Sequence, residues 1–342
     1  MSLNPLELLP IPLIRWYHEN ARVLPWRSDP TPYHVLVSEI MLQQTRVAAV
    51  LGYYARFMEA LPAVADLAAV EDDRLMKLWQ GLGYYNRARN LKKAAARIMD
   101  DFGGTFPARY EDLLTLPGVG EYTAGAVASI AFGVPVPAVD GNVLRVVSRL
   151  TGDGGDIMRP ETKRRMGAAL RSVMPAAAPG DFNQALMELG ATVCLPNGAP
   201  LCGRCPAADF CTARREERTG ALPVKAPKKA RRVEERTVFL IFYGKKVALR
   251  RRPGKGLLAG LWEYPNEPAP APCPVEALAL ESGCAGKHIF THIEWRMTAQ
   301  VVRAASEDLP EGWVWADRTA LGRDYAVPNA FQSFSHLVEE RI

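Results

Sequence analysis

Four cysteines lie close together past the middle of the chain and carry its clearest chemical signal. The group comprises Cys194, Cys202, Cys205 and Cys211, whereas Cys273 and Cys284 are isolated. Nothing in the sequence points to secretion, so this spacing indicates a metal centre rather than a disulfide framework. Four thiolates can bind zinc or a [4Fe–4S] cluster; zinc is the default on spacing alone, and both remain open on these residues. The five histidines are scattered and offer no chelating pair.

A second candidate site begins at the glycine-rich turn Leu116–Gly120, which reads LPGVG. Pro117 cannot continue a helix, and glycine adopts backbone angles that other residues avoid. A small-residue helix is predicted from Glu121 to about Phe132. Unpaired N–H groups at the start of such a helix bind anions, and phosphate is the obvious one. The predicted phosphate-binding residues are Gly118, Val119 and Gly120.

A carboxylate follows this hairpin at Asp140, eighteen residues past Tyr122. Each feature alone has an ordinary structural interpretation, because glycine and proline make turns and an aspartate before glycine often caps a helix. Together and in this order, they indicate a phosphate-binding hairpin with a carboxylate delivered nearby.

The element that would position a second carboxylate is a strong apolar helix, predicted from Tyr33 to about Phe57. Glu39, Gln43 and Arg46 fall together on its other face at helical spacing. On periodicity alone, Glu39 would be a solvated surface residue.

The loop of residues 81–87, GLGYYNR, is flanked by glycine and carries Leu82 and Tyr84. Its apolar side chains can pack into the core, or they can form a wedge that enters a base step in DNA. Four basic residues just behind the loop are candidates to contact phosphate: Arg87, Arg89, Lys92 and Lys93.

Length and charge indicate a two-domain globular protein in which the basic excess is local. Lys+Arg against Asp+Glu is 21 against 21 for residues 1–212, 9 against 4 for 213–236, and 12 against 12 for 237–342. The middle segment is polar and lacks apolar periodicity, so we predict a linker that can also touch DNA phosphates. No apolar run is long enough to span a bilayer, and no signal pattern opens the chain, which favours the bacterial cytoplasm and a nucleoid-associated protein.

The hairpin and Asp140 resemble the helix-hairpin-helix–Gly-Pro-Asp superfamily of DNA base-excision glycosylases, over about residues 12–212. Ser38–Thr45, SEIMLQQT, is similar in particular to the adenine DNA glycosylases of the MutY type. The resemblance implies a [4Fe–4S] cluster on the four clustered cysteines. The first cysteine gap holds seven residues where the family has six, which a loop insertion would explain.

The same resemblance implies roles for four residues in breaking the bond between base and sugar. Glu39 would protonate the adenine leaving group, and Asp140 would stabilise an oxocarbenium-like sugar or attack it transiently. These tasks call for a raised pKa at Glu39 and a normal or low pKa at Asp140. Tyr122 and Asn142 match family positions that orient or assist this chemistry.

Tyr122 also separates close relatives by mechanism. Endonuclease III and similar bifunctional members have a lysine after the LPGVG turn, whose amine forms a Schiff base with the sugar and leads to strand cleavage. A phenol cannot do this, and Leu144 supplies no amine either. We therefore predict a monofunctional glycosylase.

Beyond the linker the composition becomes strand-like. Strands are predicted at residues 237–243, 246–251, 293–302 and 313–316, with a closing helix over 329–340. This region resembles the Nudix-like C-terminal domain of MutY proteins. A Nudix hydrolase needs a Glu-rich helix to hold Mg²⁺, and only Glu267, Glu276 and Glu281 are scattered over 264–286, so recognition without hydrolysis is expected.

One short motif in this region is expected to read the opposite base. Phe290-Thr291-His292 resembles the family's Phe-Ser-His loop, which contacts 8-oxoguanine, with Thr in place of Ser. A literal Phe334-Ser335-His336 also occurs, but it lies in the predicted terminal helix, so Thr291 is preferred.

The expected fold is multidomain: an all-α helix-hairpin-helix glycosylase with an iron–sulfur domain, followed by an α+β Nudix-like domain. The catalytic region would span residues 1–212, with a helical barrel at about 30–136 and a cluster domain from 1–29 plus 137–212. A linker at 213–236 and a recognition domain at 237–342 would follow.

The expected function is hydrolysis of adenine from double-stranded DNA in which it pairs with 8-oxoguanine or guanine, by a monomer that flips the base. The expected readers of the opposite base are Gln44, Thr45, Leu82, Tyr84 and Thr291. Two alternatives are a pyrimidine or thymine-mismatch glycosylase of the endonuclease III type and a noncatalytic lesion-binding protein.

Overall fold

The computed structural model describes residues 4–227 and 230–342 and forms two compact units. The first comprises Met1–Ala69 and Asn90–Pro227, and the second comprises Val70–Arg89 and Lys228–Ile342. The units therefore differ from the sequence-based division, which places residues 70–89 in the catalytic region. Among the described residues, no helix has the length and apolar character needed to cross a membrane.

Helices make up the regular structure of the first unit. In chain order, with α6 and the first turn of α7 counted in the second unit, they are α1 (Pro10–Asn20), α2 (Pro25–Ser28), α3 (Pro32–Leu42), α4 (Val47–Ala60), α5 (Val64–Ala69), α6 (Asp72–Trp79), α7 (Asn86–Phe102), α8 (Tyr110–Leu113), α9 (Glu121–Phe132), α10 (Gly141–Thr151), α11 (Pro160–Val173), α12 (Pro179–Thr192) and α13 (Thr212–Arg215). Two 3₁₀ turns, Cys202–Arg204 and Ala208–Phe210, lie in the cysteine-rich segment.

The prediction of one long helix from Tyr33 to about Phe57 is wrong, because the helix is interrupted between α3 and α4. Gln44 has a φ of +58°, a left-handed conformation that ends the helix. Gln43 and Arg46 consequently do not share a helix face with Glu39. No glycine or proline marks the break, so the apolar periodicity that continues across it conceals the turn.

The hairpin between α8 and α9 forms as the sequence predicts, with α9 running from Glu121 to Phe132. Gly118 has a φ of +77°, and a Cβ on it would lie 2.7 Å from the Cβ of Asn90. Both observations require glycine at this position. Gly125 lets α9 pack closely on the following chain, because a Cβ there would lie 2.6 Å from the carbonyl oxygen of Pro137.

The core of the first unit lies where α1, α10, α11 and α12 meet. Its fully enclosed side chains include Leu9, Leu13, Val143, Leu170 and Phe182. Three of the clustered cysteines, Cys194, Cys205 and Cys211, pack against this apolar core. The cysteine-rich segment is thus part of the same folded body as α10.

The predicted linker of residues 213–236 has regular secondary structure at its two ends. Its start belongs to α13, where Ala213 is buried, and Leu222 is also buried. Its last residues belong to a strand that begins at Arg232 rather than at residue 237. Charged residues do not prevent strand formation, because the backbone of this stretch pairs with a neighbouring strand. Lys228 and Lys229 of the predicted linker lie outside the described residues.

The second unit is built on a mixed sheet. Its strands are β1 (Arg232–Tyr243), β2 (Lys246–Arg251), β3 (Trp262–Glu263), β4 (Asn266–Pro268), β5 (Ala277–Ile289), β6 (Ile293–Ala304) and β7 (Trp313–Ala316). The main strand order is β3-β2-β1-β6-β5, with β4 on β1 and β7 on β2; β1 and β6 are parallel and the other pairs antiparallel.

The sequence does not reveal β5, which lies at the edge of this sheet. Its residues are small and largely exposed, so they lack the apolar alternation that indicates a strand. The predicted terminal helix forms as a 3₁₀ segment, Asn329–Phe334, followed by α15 (Ser335–Glu339). A short helix, α14 (Arg318–Arg323), precedes it.

Candidate active site

Glu39 lies on α3, most of which is enclosed, and its side chain is buried rather than solvated. Tyr122, from the first turn of α9, donates its hydroxyl hydrogen to Glu39 Oε2 at 2.5 Å. The same hydroxyl lies 3.1 Å from Met187 Sδ. The helix that follows the glycine-rich hairpin therefore places a phenol directly on the buried carboxyl group.

Asp140 caps the N-terminus of α10 and also faces this region. Its Oδ1 accepts from the backbone N–H of Val143 at 2.7 Å, and its Oδ2 accepts from Asn142 Nδ2 at 2.9 Å. The ordinary capping role is thus real, and it fixes the carboxylate in one orientation. Asn142 is held in turn by Arg145, whose Nη2 donates to Asn142 Oδ1 at 2.9 Å.

Burial shifts the proton affinity of both carboxyl groups upward. Removal from water raises the pKa of Glu39 to about 7, while the hydrogen bond from Tyr122 acts in the opposite direction. Burial also raises the pKa of Asp140, against the hydrogen bonds from Val143 and Asn142. The expectation of a normal or low pKa at Asp140 is therefore wrong for the free protein. A cation beside Asp140, such as an oxocarbenium-like sugar, would favour its charged form.

One cleft of about 1020 Å³ brings the predicted catalytic residues together. It is lined by Glu39, Tyr122, Asp140 and Asn142. Gln44 and Thr45, two predicted readers of the opposite base, line the same cleft. Residues far apart in sequence thus meet in one chamber large enough for a nucleotide, and their individual roles stay predictions.

The cleft also contains a charged cluster that sequence reasoning missed. Glu188 on α12 is fully buried and accepts from Arg22 Nε at 2.6 Å and from Arg27 Nη2 at 2.8 Å. Burial alone would raise its pKa, but the bonds from the two arginines hold it below its usual value. Trp26 is an apolar neighbour in the cleft wall. No local pattern marks this cluster, because Glu188 lies more than 160 residues from either arginine in sequence.

The predicted phosphate-binding turn is open to solvent at two of its three residues. Gly118 and Gly120 are exposed, whereas Val119 is buried and donates its N–H to the carbonyl of Leu116 at 3.1 Å. Gly120 precedes α9, and no side chain of the described residues caps that helix. This geometry is compatible with the predicted contact to phosphate, which stays a prediction.

The four clustered cysteines line one small cavity of about 30 Å³ together with Arg149 and Arg214. Arg149 Nη1 donates to Cys194 Sγ at 3.3 Å. Burial raises the pKa of the Cys205 thiol to about 12, and burial likewise raises that of Cys211. Within the described ranges, no three His, Cys, Asp or Glu side chains converge to hold a single metal ion.

The remaining predicted readers lie in the second unit. Tyr84 Oη and Thr291 Oγ1 are 3.3 Å apart, at a cavity of about 530 Å³ that both residues line. Tyr84 is half exposed and has a φ of +49°. Leu82 is buried instead of exposed as the wedge hypothesis expects, so Tyr84 is the accessible member of this loop.

Arg87 is buried too, which corrects its assignment as a phosphate contact. Its Nη2 donates to the carbonyls of Leu82 and Gly83, each at 3.1 Å. Its guanidinium stands over the rings of Trp79 and Tyr84, at 5.5 and 5.4 Å from their centroids. Arg87 therefore fixes the loop instead of facing solvent.

Comparison with protein families identifies both parts of the chain. Residues 37–173 match the HhH-GPD superfamily of base excision DNA repair proteins, and residues 237–337 match the NUDIX domain. The structure is similar to a thermostable thymine-DNA glycosylase, with 28% identity, a TM-score of 0.57, and coverage of 62% of this chain and 97% of that one. It is also similar to endonuclease III in a non-covalent DNA complex, with 26% identity, a TM-score of 0.52 and the same coverage of both chains. Fold and site together define a DNA glycosylase of base excision repair.

The sequence comparison narrows this class. The adenine DNA glycosylase of Mus musculus is 37% identical over 366 residues, covering 87% of this chain and 70% of the mouse protein. The chain belongs to the adenine DNA glycosylase family. The predicted fold, a helical glycosylase followed by a sheet-containing Nudix-like domain, is confirmed, apart from the iron–sulfur part.

Proposed function

We propose that the protein hydrolyses the bond between adenine and deoxyribose where adenine pairs with 8-oxoguanine or guanine, and that it leaves the strand uncut. The observation that carries the proposal is that the buried Glu39 and the partly buried Asp140 line one cleft with a tyrosine at position 122. The target base enters the cleft after it is flipped out of the duplex.

Glu39 is the proton donor in this mechanism. With its pKa raised to about 7, a substantial fraction of Glu39 is protonated near neutral pH, as a general acid must be. Proton transfer to the departing base removes the need to expel it as an anion. Tyr122 restrains the donor by its hydrogen bond to Oε2. Such catalysis typically contributes about 10²–10⁴ in rate.

Asp140 acts on the sugar. As the bond to the base breaks, positive charge develops at the sugar, and a fixed carboxylate lowers the energy of that state. The bonds from Val143 and Asn142 hold Asp140 in place, so little reorganisation is needed during the reaction. Its action as stabiliser or as transient nucleophile follows from the same position.

The cluster of Glu188 with Arg22 and Arg27 supports a pocket for a purine base. It offers a firmly ionised acceptor beside rigid donors, and Trp26 adds an apolar wall. Adenine presents an amino donor and ring-nitrogen acceptors on its edges, which such a cluster can match.

The cysteine cavity fits a [4Fe–4S] cluster held by Cys194, Cys202, Cys205 and Cys211. Each of the four thiolates would bind one iron of such a cluster. The cluster would hold the segment after α12 together, and Arg149 of α10 contacts that segment at Cys194 Sγ. Purified anaerobically, the protein should contain about four iron atoms per chain, and stoichiometric zinc in their place would contradict the assignment.

We assign recognition of the base opposite adenine to both units. Gln44 and Thr45 line the cleft, and Tyr84 with Thr291 forms a hydroxyl pair in the second unit. A monomer in the bacterial cytoplasm remains part of the proposal.

The experiment that tests this function is single-turnover excision on matched duplexes. Adenine is placed opposite 8-oxoguanine, guanine or thymine, and a thymine opposite guanine is the control for a mismatch glycosylase of the other type. Product is scored before and after alkali. We expect excision opposite 8-oxoguanine and guanine with breaks only after alkali. Excision of thymine with adenine left intact, or breaks without alkali, would contradict the proposal.

A further inference from the structure

The segment that follows the cysteine cluster is bound to the helical unit at several points. We call residues 216–227 the strap. The N–H of Arg218 donates to the carbonyl of Ala213 at 2.8 Å, and Leu222 is buried. These contacts fix the position of the strap on the helical unit.

Two carbonyl groups of the strap fix its far end near the catalytic cleft. Leu222 accepts from Arg149 Nε at 2.9 Å, and Val224 accepts from the N–H of Ile157 at 3.1 Å. Ile157 lies between α10 and α11 and lines the cleft. Lys225 follows the second anchor by one residue, which restricts where its side chain can reach.

Lys225 and Lys163 both line the cleft that contains Glu39 and Asp140. Lys163 comes from the second turn of α11, so two separate elements bring an ammonium group to the same chamber. Both side chains are exposed. Neither forms an ion pair with any carboxylate among residues 4–227 and 230–342.

Of the arginines around the cleft, Arg46 also lines it and is exposed, whereas three others are already bound within the protein. Arg22 and Arg27 are bound to Glu188. Arg145 donates to Asn142 and to the carbonyls of Gly190 and Cys194. The positive charge of Lys163 and Lys225 is therefore available to a ligand.

The group that Lys163 and Lys225 contact depends on which part of the DNA lies at the entrance of the cleft. A flipped nucleotide places its base and sugar inside the protein while its flanking phosphates stay at the entrance. Lysine is a compact point charge on a flexible stem, suited to phosphate oxygens without fixed orientation. Residues 1–212 carry equal numbers of acidic and basic side chains, so attraction to DNA must come from local charge.

We propose that Lys163 and Lys225, the latter positioned by the strap, bind backbone phosphates of the strand that carries the target nucleotide. The inference rests on the proposed function insofar as DNA enters the cleft. It assigns part of the basic segment after the cluster to a DNA contact that is built into the helical unit.

The test measures binding of the full-length protein to a duplex with a tetrahydrofuran abasic analogue opposite guanine. Lys163→Ala, Lys225→Ala and the double variant are compared with Arg164→Ala and Arg215→Ala, which remove the same charge nearby without lining the cleft. Affinity is measured by fluorescence anisotropy between about 50 and 200 mM KCl. Each single lysine variant should make the negative slope of log affinity against log salt shallower by about 0.9, and the double variant should do so by about 2.

The alanine variants of Lys163 and Lys225 should raise the dissociation constant without lowering the excision rate at saturating enzyme. Lys225→Arg keeps the charge and should retain wild-type binding. Slopes equal to those of Arg164→Ala and Arg215→Ala would overturn the inference. So would borohydride trapping of an abasic-site adduct that disappears with either lysine, because the amine would then be a nucleophile.

The abasic duplex needs no excision, so the two proposals fail separately. If the wild-type protein releases no adenine but the salt slope depends on the two lysines, the proposed function is contradicted and the phosphate-binding role of the lysines is supported. If the wild-type protein excises adenine but the lysine variants keep its salt slope, only the phosphate-binding role of the lysines is contradicted.

Discussion

The two catalytic carboxyl groups of the first unit and a buried carboxylate of the sheet-containing unit have different surroundings. In the cleft, burial raises the pKa of Glu39 and of Asp140, and neither forms an ion pair with any residue that the structure describes. In the second unit, the buried Glu263 is held by Arg250 at 2.9 Å and by Arg252 at 2.5 Å. Glu39 and Asp140 thus keep a raised proton affinity, whereas Glu263, like Glu188 in the wall of the cleft, is neutralised by arginines.

This difference indicates a division of labour. Shifted carboxyl groups are a mark of acid–base chemistry, whereas paired ones stabilise a shape. The second unit also contains the cavity lined by Tyr84 and Thr291, which offers hydroxyl groups and aromatic surface. Changes in the cleft should therefore alter the rate of chemistry, and changes at the cavity should alter the choice of substrate.

The largest expected effect comes from Glu39→Gln. The amide keeps the shape but cannot transfer a proton, so single-turnover excision should fall by about 10²–10⁴ while DNA affinity stays close to wild type. Asp140→Asn should act similarly, because it removes the negative charge beside the sugar. Excision within tenfold of wild type for Glu39→Gln would remove this residue from the acid role.

An intermediate effect is expected from Thr291→Ala, which deletes one member of the hydroxyl pair. A good contact to a base edge is worth about 1–3 kcal/mol of discrimination, so preference for 8-oxoguanine over guanine should drop roughly 5- to 150-fold. Thr291→Ser keeps the hydroxyl and should change little. Ser335→Ala is the matched control in the second, helical motif. If Ser335 matters more than Thr291, the wrong motif has been assigned to the opposite base.

A smaller, qualitative effect is expected from Tyr122→Lys. It places an amine where bifunctional relatives carry one, so some strand cleavage and a borohydride-trappable adduct should appear. The wild type should show neither before alkali. Because Tyr122 also binds Glu39, overall excision should fall in this variant. Robust trapping by the wild type would refute the monofunctional assignment.

Local patterns in the sequence predict the hairpin and α9 to the residue, as well as β2 and β7. They mislead wherever tertiary pairing decides the outcome. Gln44 breaks a helix whose apolar periodicity continues, and β5 is an edge strand without alternation. The charged start of β1 resembles a linker because its partner strand lies some 60 residues away.

The candidate site divides along the same line. Glu39, Asp140, Tyr122 and Asn142 are found through a family resemblance, and the structure places them in one cleft. Glu188 is missed, because a buried glutamate bound to two distant arginines leaves no trace in spacing. The raised pKa of Asp140 is likewise a property of burial, which a turn sequence does not report.

The central claim, that Glu39 holds the proton for the departing base, is tested most directly by the pH dependence of single-turnover excision. Because the pKa of Glu39 is raised to about 7 and the protonated form is active, the rate should fall as pH rises above about 7. Tyr122→Phe removes a bond that favours the carboxylate, so the descending limb should move to higher pH. A wild-type rate that stays level up to about pH 9, two units above that pKa, would contradict the account.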